Sequence, residues 1–194
     1  MKANIGRLFG LVAFSLLGIG GVSAAEKALD SYEGARIMWL DTPYPFADTS
    51  PNYVGDAEAY MVGMEFTLPR ASGEIARVIV LASSGGDASV YFNSRNAQGV
   101  GGFIGGIAHE NIASDAVSMV RIASANVRLM QSTTEFPLTS VGHVRFIVGT
   151  RKGRYTIEVG EPEAKKKGSS WYGLYVAGQK IIFDFRLMDK NRKK

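Results

Sequence analysis

The chain of 194 residues carries 22 Lys and Arg against 18 Asp and Glu, for a net charge of +4, and 46% of its residues are hydrophobic. That balance excludes a disordered polyelectrolyte, and the length suits one domain with its own core. With no cysteine, thiol chemistry and disulfide staples are both excluded, so burial alone must offset the entropy of folding.

Lys2 and Arg7 precede an apolar run from Leu8 to Ile19, and Val22-Ser23-Ala24 closes it with small residues. This is the layout of a secretory signal peptide over residues 1–24, cleaved after Ala24, because the run is shorter than the roughly 20 residues that cross a bilayer. Residues 25–194 are then expected to form a single mainly β domain with a basic tail at Lys190, Arg192, Lys193 and Lys194, in the periplasm or secreted. Removing Lys2 and Arg7 lowers the net charge from +4 to +2. Attraction for anions then falls to local patches.

A first strand is expected near Ala35 to Leu40. The connection after it, from Trp39 to Val54, holds three prolines, which keep it out of regular ladders. Its Tyr44, Phe46 and Tyr53 either plug the end of the core or form a binding lip. From Tyr60 to Leu68 every second residue is apolar, which predicts a strand with one face on a core. Ile75 to Ala82 is nearly continuous apolar, as for a strand covered on both sides, and Ser83-Ser84-Gly85-Gly86-Asp87 supplies a turn into the alternating Ala88, Val90 and Phe92. The segment Ile79 to Ala88, IVLASSGGDA, resembles the strand and glycine turn of Clp-like serine peptidases over ten residues. In that family a helix follows the glycines, whereas alternation here predicts a strand, and no catalytic residue is carried over.

The glycine-rich stretch Gly99 to Asn111 departs from both phosphate-binding fingerprints. Ile104 stands where a dinucleotide site needs Gly, and Ile107 where a P-loop needs Lys. A loop, or a strand that must approach another backbone closely, explains it. His109-Glu110 follows as a candidate acid-base pair. A zinc-protease helix would need a second His at position 113, which is Ala, and His143 is the only other histidine. No catalytic residue, metal ligand or cofactor is assigned.

Ile112, Ala116, Met119, Val120, Ala123, Val127 and Met130 recur at spacings of three and four behind Ser114-Asp115, which predicts an amphipathic helix near 114–130, with a tight hairpin as the alternative. Val144, Phe146 and Val148, the loop Gly149 to Gly153, and Tyr155, Ile157 and Val159 predict a second hairpin. A third is expected from Trp171 to Val176 and from Ile181, Phe183, Phe185 and Leu187. The whole reads as a mainly antiparallel β-sandwich or β-barrel.

Lys165, Lys166 and Lys167 stand beside Trp171 and Tyr172; with Glu161 and Glu163 partly cancelling the charge, a solvated loop joining two core strands explains the stretch, and the alternative is a site of cations and rings for an anionic ligand. The expected function is therefore a non-catalytic exported binding protein, of the kind that inhibits or confers immunity to another enzyme. Its partner would be a protein or envelope component such as an anionic lipid or polysaccharide. Nucleic acid is disfavoured by the export signal and the low net charge. Two other classes stand beside it: a carrier of an apolar small ligand or lipid in a barrel, and a hydrolase using His109 and Glu110.

Overall fold

The computed structural model describes residues 32–41, 59–70, 72–93 and 100–192. The signal-peptide segment and Tyr44, Phe46 and Tyr53 lie outside the described residues. Seven strands form one open antiparallel sheet: β1 (Ala59–Pro69), β2 (Ile75–Ser83), β3 (Ala88–Asn93), β4 (Val100–Phe103), β5 (Gln131–Thr133), β6 (His143–Thr150) and β7 (Gly153–Gly160). Their spatial order is β4-β3-β2-β1-β6-β7-β5, and every neighbouring pair is antiparallel. The helices are α1 (Tyr32–Leu40), α2 (Glu110–Asn126), α3 (Glu161–Lys165) and α4 (Tyr172–Arg192).

The antiparallel β scaffold is present, together with its amphipathic helix, but the sheet is not closed into a barrel. The first two predicted hairpins form. In β2–β3 the turn at Ser83 to Asp87 places Gly86 at φ 88, a left-handed conformation that glycine adopts without a Cβ clash. A strand, not a helix, follows those glycines, so the likeness to Clp-like peptidases ends at the turn. In β6–β7 the register runs from His143↔Gly160 to Thr150↔Gly153.

Side chains alternating along the strands divide the core in two. On one face Val62, Met64, Phe66, Val80, Val90, Val144, Phe146 and Val148 meet α2 and α4. The α2 contribution is Ile112, Ala116, Met119, Val120 and Ala123, as the three-four spacing predicts. The helix begins earlier than expected, with His109 and not Ser114-Asp115 at its N-cap. On the opposite face Met61, Ile79, Leu81, Tyr91 and Ile147 meet α1. β2 is thus covered on both sides, which accounts for its unbroken apolar sequence.

Three expected strands are helical, one near the start and both arms of the third hairpin. Ala35 to Leu40 belongs to α1, which buries Tyr32, Ala35, Arg36 and Leu40 at positions i, i+3, i+4 and i+8. Trp171 to Leu187 begins at the threshold of α4 and runs into it, so the third predicted hairpin does not exist. Within α4 the fully buried side chains are Leu174, Ile181 and Phe185, with Ile182 nearly so, again at helical spacing. Phe183 and Leu187, which supplied the apparent alternation, point to solvent.

A buried ion pair fixes α1 to the sheet. Glu65 in β1 is fully buried and receives Nε and Nη2 of Arg36 at 2.5 and 3.0 Å, the Tyr32 hydroxyl at 2.7 Å and the Thr139 hydroxyl at 2.6 Å. Arg36 also donates to the carbonyls of Phe136 and Pro137. Every oxygen of the carboxylate has two donors, the condition under which a buried pair is tolerated. Burial, and then the adjacent Glu65 charge, push the Tyr32 phenol far above its ordinary pKa, so it stays a donor.

Candidate interaction surface

The sequence of α4, YGLYVAGQKIIFDFRLMDKNR, is apolar on two sides. Its inner side packs on the sheet, where Phe185 stacks with Phe103 at 5.6 Å between ring centroids. Gly178 faces Met64, and a Cβ built there would lie 2.5 Å from its Cε, so a larger residue would require the end of the Met64 side chain to shift. Its flank lies against α2 in the opposite direction: Gly173 faces Ile122, while seven residues later Lys180 bridges to Asp115 of α2 and to Asp184 one turn on. Burial raises the pKa of Asp115, with Lys180 opposing the shift, and the bond to Asp115 raises that of Lys180. The clasp therefore keeps Lys180 charged across the neutral range.

The remaining side of α4 faces away from the sheet. Val176, Phe183 and Leu187 stand there in one line, 43%, 58% and 43% exposed. Their spacing of seven and four residues is a helical ridge. Arg186 and Lys190 of α4 are exposed, as are Arg121 on α2 and Arg128 in the turn after it, and no ion pair holds these four cations among the described residues. A protein this size rarely leaves a helix apolar on both sides without a use for the outer one.

A shallow groove of about 400 Å³ lies between the β2–β3 turn and α2, lined by Gly85, Gly86, Glu110, Ser114, Ser118 and Arg121. At its edge His109 and Glu110 are both exposed, and the His109 ring makes no capping bond to the helix it starts. His143 is placed elsewhere, its Nδ1 3.1 Å from the Val141 carbonyl. Among the described residues no cluster of three or more His, Asp or Glu could hold a metal ion. Asp87 accepts backbone N–H bonds from Ile107 and Ala88 that lower its pKa, yet burial outweighs them and raises it.

The predicted lysine and aromatic group is dispersed. Lys165 ends α3, pairs with Glu161 at 2.7 Å and lies 5.9 Å from the centre of the Tyr175 ring. Lys166 and Lys167 are exposed in the turn that follows. Trp171 stacks on Phe146 at 6.0 Å and belongs to the core, while Tyr172 is half-buried at the first turn of α4. The rings that sequence reasoning grouped with the lysines are thus largely used for packing. The ridge was hidden because its residues fall between those of the inner side, so that the two helical patterns superpose as a strand's alternation. Comparison with known protein families, curated proteins and solved structures finds no match for this chain.

Proposed function

We propose that this chain is an exported, non-catalytic binding protein that recognises a component of the cell envelope through the outer side of its helical layer. The observation that carries the reading is the ridge of Val176, Phe183 and Leu187 on a helix whose inner side is already fully packed. The sheet and the two helices make a rigid platform, since α4 is clamped by close contact at Gly178 and by the Lys180 clasp. A rigid carrier with an exposed apolar line is the arrangement that recognition surfaces use.

The open sheet and filled core weigh against an apolar molecule carried inside a barrel. The exposure of His109 and Glu110, without a partner to orient the imidazole, weighs against the hydrolase reading. Affinity capture of the protein from its own envelope extract, at low and high salt, tests the proposal. Material captured by the protein is expected to be captured equally by the His109→Ala variant. A turnover activity that falls about 10²-fold or more on His109→Ala would replace binding with catalysis.

A further inference from the structure

Building on that reading, we infer that the envelope component is an anionic lipid surface and that α4 lies on it along the Val176, Phe183 and Leu187 line. A helix that rests in a membrane interface presents aromatic and aliphatic side chains flanked by Lys and Arg. The second half of α4 has that composition. Phe183 and Leu187 project outward, Arg186 and Lys190 flank them, and Arg192, Lys193 and Lys194 follow in sequence. Cations in a last helical turn also complement the helix dipole. That effect accounts for the charges but not for two large apolar side chains turned away from a completed core.

Charge selects among occupants. A second copy docked about a two-fold axis passing near Arg186 and Lys190 would set those cations against their own equivalents, a like-charge arrangement that opposes pairing. An anionic surface meets those cations with opposite charge. Lys180 pairs with both Asp184 and the neighbouring Asp115 and so offsets one of their two charges. Two further acidic residues are near: exposed Glu110 at the N-terminal turn of α2, and partly exposed Asp189 beside Lys190 in α4. Shape selects as well. The apolar line is a convex ridge, with Phe183 standing 58% exposed, and a lipid surface admits a protruding side chain where a protein partner must supply a matching groove.

The protein, purified with its native N-terminus, is sedimented with vesicles of phosphatidylcholine alone or of phosphatidylcholine with phosphatidylglycerol. Phe183→Ser, Leu187→Ser and the pair Arg186→Glu with Lys190→Glu are compared with it, each checked for an unchanged thermal unfolding curve. The cleavage after Ala24 that the proposed export implies removes the apolar run at 8–19, so sedimentation reads the folded domain. Binding to the phosphatidylglycerol vesicles only is expected, weakened roughly tenfold by either serine variant and by at least as much by the charge reversal. Equal binding by all variants, or no sedimentation with anionic vesicles, overturns the inference. So does a concentration-dependent dimer in analytical ultracentrifugation that Phe183→Ser dissolves while vesicles are ignored. If vesicles fail but a specific protein partner is captured and then lost with Phe183→Ser, the lipid inference falls and the proposed function stands.

Discussion

At the scale of single residues, the strongest local commitment is the carboxylate of Glu65, buried among Arg36, Tyr32 and Thr139. Removing one partner strands the other's charge in the interior, so Arg36→Met or Glu65→Ala alone is expected to cost about 3–5 kcal/mol in urea unfolding. Replacing both with apolar residues of similar volume should cost much less than the two single losses combined, because no charge is left behind. Asp87 gives a test with the opposite sign. Its carboxyl is half-buried and its pKa is raised, so its folded form favours the proton more than its unfolded form does. Its contribution to stability is complete below the ordinary aspartate range and is lost as pH rises through the raised value. Asp87→Asn keeps an oxygen for the Ile107 and Ala88 N–H groups without the buried charge. It should therefore match or exceed the wild-type melting temperature at neutral pH, and the gain should vanish in acid. A neutral-pH loss of stability would show that the ionised form is held by more than those two bonds.

At the scale of elements, neighbouring phenylalanines separate the helix from the strand it resembles. In a strand Phe183 and Phe185 would share a face and respond alike, but in α4 they lie on opposite sides. Phe185→Ala is expected to cost about 3–5 kcal/mol and Phe183→Ala to stay within about 0.5 kcal/mol, read from denaturant unfolding. β1, β3, β6 and β7 were legible because their apolar residues recur at period two, and β2 because its continuous apolar run, buried on both faces, ends in turn residues. α2 was legible by its period as well, with Ile112 to Ala123 at clean three-four spacing. α1 and α4 were not. Each places apolar residues outside its buried stripe, Ile37 and Met38 in one and Val176, Phe183 and Leu187 in the other, and the mixture mimics period two. The signal that could have found α4 was the i, i+4, i+7, i+8, i+11 series of Leu174, Gly178, Ile181, Ile182 and Phe185.

At the scale of the whole molecule, an open antiparallel sheet carries helices on both faces, and the two sides do different work. The α1 side is locked by a charge network with no donor or acceptor to spare on Glu65. The α2–α4 side completes its core and still presents cations and large apolar groups outward. The binding residues expected from sequence were sought where charge and aromatic rings adjoin, at Lys165 to Tyr172, but Trp171 is taken up by Phe146 and Lys165 by Glu161. The surface proposed for recognition lies on α4, where Val176, Phe183 and Leu187 remain exposed outside the packed core. Because the chain has no cysteine, a single thiol reports on one position without ambiguity. The most direct measurement is the rate of thiol labelling of the Phe183→Cys and Phe185→Cys variants, in buffer and then with phosphatidylglycerol vesicles. The account predicts fast labelling at 183 and protection at 185 in buffer, with 183 becoming protected when anionic vesicles are added. Equal labelling of the two positions in buffer would contradict the helix, and a rate at 183 that vesicles leave unchanged would contradict the surface assigned to it.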